Sequence, residues 1–287
     1  MMATSSGSVQ RRVLVTGATG IAAATAHLLA AEGAQVFVVA RTSAHCTDLL
    51  AALGPAAAGF ASADLREEEQ AEAAFAAATE AMGGLDGVVA VAGGSGRRWG
   101  DGALHEIPLS GWDETLRLNL TTTFLTAREA IRHFRAGSGG ALVLTTSVLG
   151  WSPSPHYFAT HAYAATKAAI CGMTRTLAAA YAADGIRVNA VAPGLVRTPM
   201  AERAAQDEEI LAFAATKQPL AGGMLDADDV ADAIVWALRN PQITGQIIAV
   251  DGGWTVSEGQ WRHHTGPLPP SVLTPDPYPS PTTKGIP

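Results

Sequence analysis

Short apolar runs alternate along the chain with segments whose apolar residues recur at helical spacing, the pattern of strands and helices taken in turn. Val13-Leu14-Val15-Thr16 reads as a first strand, residues 24–31 as a helix and Gln35–Ala40 as a second strand. A helix near Ser43–Leu53, a strand at Ala57–Ser62, a helix through 66–82 and a strand at 85–92 continue the order. A long helix covers 109–135, starting after Pro108 with Ser110 as its cap. The apolar run at 141–146 is a buried strand, and a helix opens near Thr160. Strands at 187–191 and 246–250 complete seven, and Trp112 and Trp236 fall on core-facing helix positions. Strand and helix in alternation imply a parallel sheet with right-handed crossovers, an α/β fold of the doubly wound kind in three α/β/α layers.

Composition narrows the class. With 287 residues, 48% of them hydrophobic and 16% charged, one α/β domain over 12–256 accounts for the patterned chain. It is flanked by a flexible N-terminus at 1–11 and a proline-rich tail at 257–287, which either drapes over a neighbouring subunit or is disordered. A net charge of −7 with no basic stripe argues against nucleic acid. Met1–Gln10 lacks the apolar core of a signal peptide and no run approaches a membrane span, so a cytoplasmic protein without membrane contacts is expected. Cys46 and Cys171 make no disulfide framework, and no cluster has metal-ligand spacing, so no metal is expected.

Candidate chemistry sits in Tyr163-Ala164-Ala165-Thr166-Lys167. Four positions is one helical turn, which puts phenol and ammonium on one face. A fixed cation there favours the tyrosinate and should lower the tyrosine pKa toward neutrality, where it can exchange a proton. Ser147 ends the 141–146 strand at the carboxyl edge where open α/β sheets build their sites, placed to hold a carbonyl oxygen beside Tyr163. Near the N-terminus, strand, Gly17-Ala18-Thr19-Gly20-Ile21-Ala22-Ala23 and helix form the setting in which backbone N–H groups meet a pyrophosphate. The following strand completes a βαβ unit, and the fold is of Rossmann type.

From about Arg12 to Trp254 the chain resembles the short-chain dehydrogenase/reductase family. The matching residues are Thr16-Gly17 and Gly20, Asp64, Ala92-Gly93, Asn119, Ser147, Tyr163 with Lys167, Pro193-Gly194 with Thr198, and Val250-Asp251-Gly252-Gly253. The resemblance implies a catalytic set of Asn119, Ser147, Tyr163 and Lys167. Hydride would pass from the nicotinamide to a carbonyl carbon while Tyr163 protonates the oxygen and Ser147 binds it. Lys167 would hold the nicotinamide ribose, Asn119 a water leading to solvent, and Thr198 the carboxamide. For the cofactor, the resemblance assigns Gly17, Thr19, Gly20 and Ile21 in the first loop, and Arg41, Thr42, Asp64 and Leu65 on the adenosine side. Ala92, Gly93, Tyr163 and Lys167 would line its centre, and Pro193, Gly194, Val196 and Thr198 its nicotinamide end.

Two departures stand out. The glycine loop has two residues between Gly17 and Gly20 and no third glycine, a spacing in which Ala23 takes the close-packing position and which looks like the epimerase-like branch, although the catalytic segment and the ending look like the single-domain, reductase-like branch. The family's Asn-Asn-Ala-Gly reads Ala90-Val91-Ala92-Gly93. The second strand ends Ala40-Arg41-Thr42-Ser43 without the acidic residue that binds the ribose hydroxyl in NAD users. Arg41 instead offers a guanidinium for a 2′-phosphate, which favours NADP(H) over NAD(H).

The loop before Tyr163 is longer than the family habit and rich in proline and aromatic residues. Trp99, Trp151, His156, Tyr157 and Met200 are candidate substrate contacts, or these side chains only pack the loop against its neighbours. Arg97-Arg98 reads as a solvated loop tip, with a substrate carboxylate or phosphate as the other option. The segment from Met200 to Met224 is a helical lid in which Gln206-Asp207-Glu208-Glu209 forms a solvated face. Two functions follow. One is an NADPH-dependent ketoreductase or alcohol dehydrogenase for a bulky, aromatic or apolar small molecule, assembled as a homotetramer or dimer. The other is a relative without redox chemistry, an isomerase, cyclase or dehydratase, or a nucleotide-sensing binding protein.

Overall fold

Alternate side chains of each strand enter opposite cores, and this places the helices. In the computed structural model, which describes residues 11–257, the strands are β1 (Arg12–Thr16), β2 (Gln35–Ala40), β3 (Ala57–Ser62), β4 (Gly87–Ala90), β5 (Gly140–Thr145), β6 (Ile186–Pro193) and β7 (Ile247–Val250). They form one parallel sheet in the order β3-β2-β1-β4-β5-β6-β7. Leu14, Phe37, Val39, Val88, Leu142 and Leu144 face one side and bury against α3 (Glu68–Met82), α5 (Thr122–Ala136) and α7 (His161–Tyr181). Val13, Val15, Val36, Val38, Val89 and Val143 face the other, covered by α1 (Ile21–Ala31), α2 (Ser43–Leu53) and α10 (Ala227–Arg239). Period-two burial on both faces is the signature of a central parallel sheet, and the expected three-layer, Rossmann-type architecture is observed.

The sheet order reverses between β1 and β4, where Thr16 pairs with Ala90. Chains leaving these two carboxyl ends diverge, opening the crevice in which such sheets bind ligands. The Thr16 hydroxyl accepts bonds from Val91 N and Ala92 N, both at 3.0 Å, and ties the two strand ends together where the resemblance led one to look for asparagines.

Several local expectations are corrected. The helix α1 starts at Ile21, three residues before the apolar pattern indicated, because the alanines after Gly20 continue it. Ser110 is not a cap: Pro108 holds that position without a side-chain bond, and Ser110 lies inside the first turn of α4 (Leu109–Leu116). The long helix is not uniform, since α4 passes into a wider π-type turn at Arg117–Thr121 before α5. Trp236 is 45% exposed, because the buried stripe of α10 runs through Val230, Ile234, Val235 and Leu238 and leaves position 236 on the far side. Trp112 is partly buried.

Between β6 and α10 the chain forms a short turn at Pro199–Ala201, α8 (Glu202–Ala205) and α9 (Glu208–Lys217), while α6 (Pro155–Phe158) lies in the loop before α7. Asp207 caps α9, accepting from Glu209 N and Ile210 N at 3.1 Å, so part of the acidic run has a structural task. The buried Gln218 closes the base of this segment. Its Oε1 accepts from Leu195 N at 2.6 Å and its Nε2 donates to Gly223 O at 2.6 Å. Among the described residues no helix is long and apolar enough to cross a membrane. The proposed N-terminal stretch before residue 11 and the proline-rich tail after residue 257 lie outside the described residues.

Candidate active site

A cavity of about 500 Å³ opens at the β1/β4 crevice, and it gathers Ser147, Tyr163 and Lys167 with the glycine loop and Thr198. Ser147 follows β5, and its Oγ accepts from Leu149 N at 3.3 Å. Tyr163 and Lys167 stand one turn apart near the start of α7, with the Lys167 Nζ 5.5 Å from the centre of the phenol ring. Lys167 is 5% exposed, and its ammonium donates to Thr145 O at 2.9 Å. Serine, tyrosine and lysine thus converge from a strand end and one helix face.

The electrostatics reverse the expected tyrosine shift. Burial pushes the Tyr163 phenol up to about 12, with the Ser147 hydrogen bond opposing it. Burial also pushes the Lys167 ammonium down to about 8, with Cys171 pulling weakly the other way. Desolvation disfavours both charged forms, and here it outweighs the cation beside the phenol. Tyr163 is therefore held as the neutral phenol rather than as a preformed tyrosinate.

Asn119 lies in the π-type turn and is 1% exposed. Its Oδ1 accepts from Gly94 N at 3.1 Å, and its Nδ2 donates to Gly94 O and Thr115 O at 3.0 Å. Through these bonds the amide holds the loop after β4. A Cβ on Gly93 would lie 2.8 Å from Asn119 Oδ1 and 3.9 Å from Lys167 Nζ, so glycine is what lets the loop pass between them.

The first loop suits an anionic nucleotide. Gly20 adopts φ +56°, and a Cβ there would lie 2.9 Å from Thr198 Cγ2, so the glycine loop and the segment after β6 touch. The first turn of α1 carries no acidic side chain and lines the cavity through Gly20, Ile21 and Ala22. Its positive dipole end, facing the cavity without a carboxylate, fits a diphosphate. The residue that packs closely under Gly17 is Ala22, whose Cβ would lie 3.0 Å from a Cβ on Gly17, and Ala23 is only partly buried. Ala23 also packs against the core on this face of the sheet.

Of the other cofactor candidates, Gly17, Thr19, Ala92, Gly93, Pro193, Gly194 and Val196 line the cavity. Arg41, Thr42, Asp64 and Leu65 stand beyond its wall, at the ends of β2 and β3. Asp64 is ion-paired with Arg66 at 2.6 Å, which holds its carboxyl below the usual range. Of the substrate candidates only Met200 lines the cavity. Trp99 stacks under Arg98, Trp151 is exposed, and His156 packs edge-on against Tyr157, whose ring lies tilted against Phe213 and whose hydroxyl donates to Glu209 at 3.0 Å. The apolar wall is formed instead by Leu149, Phe158, Leu195 and Trp254. Trp254 is buried, packs against Phe158 and Phe213, and donates from Nε1 to Ser152 O at 3.3 Å.

Asp101 was not singled out from the sequence. It is 2% exposed, and its two oxygens accept from Ala162 N and Tyr163 N, each at 2.9 Å. A buried carboxylate from the loop after β4 therefore caps α7 at the amide of Tyr163 itself. Asp101→Ala is expected to lower turnover about tenfold or more through misplacement of the phenol, with Asp101→Asn recovering part of it. Steady-state kinetics with kcat and KM resolved would check this, and an Ala variant with unchanged kcat would remove the assignment.

A crevice at the sheet's switch point joined to a Ser-Tyr-Lys cluster is the arrangement of a dinucleotide-dependent oxidoreductase. The chain belongs to the short-chain dehydrogenase/reductase family: the family model described as enoyl-(acyl carrier protein) reductase matches residues 15–255. It is 36% identical over 251 residues to a cis-4-hydroxycyclohexanecarboxylate dehydrogenase of Sinomonas cyclohexanicum, covering 86% of this chain and 97% of that one. It is 37% identical over 258 residues to an A-factor type gamma-butyrolactone 1'-reductase (1S-forming) of Streptomyces virginiae, covering 86% and 96%. The crystal structure of an actinorhodin polyketide ketoreductase variant with NADPH superposes with a TM-score of 0.78 at 29% identity, covering 86% and 98%. The protein is a short-chain oxidoreductase acting on CH–OH and C=O groups with a nicotinamide cofactor.

Proposed function

We propose that this protein reduces the carbonyl of a bulky cyclic or aromatic small molecule with NADPH, or oxidises the corresponding alcohol, using Tyr163 as acid and base. The observation that carries the reading is the single cavity lined by the glycine loop, Ser147, Tyr163 and Lys167. Nicotinamide, when bound, supplies or accepts the hydride. Gly17, Thr19, Gly20 and Ile21 would hold its diphosphate, Thr198, Pro193, Gly194 and Val196 its nicotinamide end, and Lys167 the ribose. Tyr163 gives its phenolic proton to the substrate oxygen, Ser147 donates a hydrogen bond to the same oxygen, and the Lys167 charge stabilises the phenolate left behind. Asn119 keeps the loop after β4 in place above them.

A cyclic substrate is supported by the apolar wall of Leu149, Phe158, Leu195 and Trp254 and by the alicyclic substrate named for the Sinomonas relative. The pH dependence follows from the two shifts. Tyr163 keeps its proton up to about 12 and Lys167 keeps its charge only up to about 8, so reduction should hold level below pH 8 and fall above it. A kcat/KM profile for reduction that stays flat well above pH 8 would remove Lys167 from this role.

NADPH is preferred in this reading because β2 ends without a carboxylate and the carboxylate of Asp64 is neutralised by Arg66. Arg41 and Thr42 would face the 2′-phosphate, with Asp64 and Leu65 beside the adenine. Arg41→Ala should weaken NADPH binding about tenfold or more, the worth of one charge-assisted contact, and leave NADH unchanged. Fluorescence titration with both nucleotides tests it, and equal NADPH affinity in variant and wild type would reject the assignment. A cytoplasmic homotetramer or dimer goes with this function, supported by the exposed Phe124 on α5 and the sheet-edge position of β7. Light scattering that reports a monomer would count against the assembly.

A further inference from the structure

The chain is acidic, yet the cavity wall is not. Acidic residues outnumber basic ones 26 to 19, but the lining holds Arg97, Arg98, Lys167 and Arg203 and no aspartate or glutamate. Lys167 is committed to Thr145 O and the phenol. The three arginines have no such commitment to a carboxylate.

Eight other arginines of the described residues lie beside acids, while Arg11, Arg41, Arg175 and Arg187 do not. Arg12, Arg66, Arg117, Arg128, Arg132, Arg135, Arg197 and Arg239 all lie within ion-pair distance of Asp or Glu. Arg98 lies over the Trp99 ring at 3.9 Å, and Arg97 donates from Nη2 to Tyr157 O at 3.3 Å. Among the described residues Arg97, Arg98 and Arg203 form no ion pair with a carboxylate.

Arg97 comes from the loop after β4 and Arg203 from α8, so the two reach the cavity from different elements. They are near enough that the charge of Arg203 adds to burial in pushing the Arg97 guanidinium down. Asp101 acts in the opposite sense, but both its oxygens are taken by the amides of Ala162 and Tyr163. Both arginines are exposed where they line the cavity, and two like charges there are stabilised by an anion that bridges them. Planar guanidinium groups match a carboxylate through paired N–H donors. The bond of Arg97 to Tyr157 O ties it to the loop between Ser147 and Tyr163, which is the substrate side of the cavity.

We propose that Arg97 and Arg203 form an anion clamp at the substrate end of the cavity, and that the natural substrate is a keto or hydroxy acid whose carboxylate lies away from the reacting carbon. This rests on the carbonyl reductase reading above. The apolar wall would take the body of the molecule, Ser147 and Tyr163 the carbonyl, and the clamp the opposite end. Arg98, held on Trp99, lies beside the clamp without being needed by it.

The test compares 3-oxocyclohexanecarboxylate with its uncharged methyl ester as substrates of the full chain with NADPH, in wild type and in Arg97→Gln, Arg203→Gln and the double variant. Wild type should prefer the acid by tenfold or more in kcat/KM, and the double variant should bring the acid-to-ester ratio close to one, mainly through KM for the acid. Equal use of acid and ester by wild type, or an unchanged ratio in the double variant, overturns the clamp. If Arg203→Gln instead weakens NADPH binding with the acid preference intact, the cation serves a cofactor phosphate and the proposal fails. If wild type reduces neither probe, the reductase reading is what suffers. Calorimetric binding of acid against ester to the nucleotide-saturated protein then decides the clamp separately: stronger binding of the acid, lost in the double variant, supports it, and equal binding rejects it.

Discussion

Tyr163→Phe is expected to lower carbonyl reduction about 10³-fold while leaving the fold and NADPH binding intact, the range over which a positioned proton donor acts. Phenylalanine keeps the ring that fills the cavity beside Ser147 and removes only the hydroxyl. Ser147 retains its bond with the amide of Leu149, so the change leaves no stranded group on that side. Because burial keeps the phenol protonated to about 12, wild type should favour reduction over oxidation near neutrality. Steady-state turnover of a cyclic ketone, with thermal unfolding recorded in parallel, measures both halves. A variant that keeps a tenth or more of the wild-type rate would move the proton donor elsewhere.

Lys167→Met is expected to act differently, since the ammonium is held in place against its own solvation. Its pKa falls from 10.5 to about 8, and at roughly 1.4 kcal/mol for each tenfold this is a penalty of about 3 kcal/mol for the buried charge. Such a cost is tolerated where the charge serves a purpose, and an apolar residue of similar length should leave stability unchanged or raise it. Loss of the bond to Thr145 O offsets part of that gain. Turnover should nevertheless drop at least about 100-fold and NADPH affinity about tenfold, because both the phenolate and the ribose lose their partner. The sign relative to pH is fixed by the same number. The unfolded chain holds this proton up to 10.5 and the folded one only to about 8, so between those values raising the pH stabilises wild type. The Met variant should lack that rise, which chemical denaturation at pH 8 and pH 10 would detect.

The parts of this site that lie close in sequence were legible, and those made by distant contacts were not. Tyr163 and Lys167 are paired by helical spacing alone, and Ser147 is placed by the end of an apolar run. The parallel sheet followed from alternating strands and helices whose side chains sort by odd and even position into two cores. Asp101 could not be read, because its bonds to Ala162 and Tyr163 span some sixty residues and no motif marks it. Nor could the direction of the Tyr163 shift, since sequence shows the neighbouring cation but not the burial that outweighs it. Trp99, Trp151, His156 and Tyr157 were drawn to attention by composition. Their rings stand outside the cavity wall, and Trp254, at the far end of the family resemblance, supplies part of that wall. Arg97 and Arg98 read as a loop tip because the missing carboxylates are a property of the assembled cavity.

The most direct test of the central claim is a single-turnover experiment with enzyme in excess of NADPH and a saturating cyclic ketone, following nicotinamide absorbance in wild type and Tyr163→Phe. Wild type should consume the NADPH and form one alcohol for each nucleotide oxidised, while the variant binds the nucleotide and leaves it reduced. Equal consumption by the two proteins, or bound NADPH that neither protein oxidises with any ketone of this class, would contradict it.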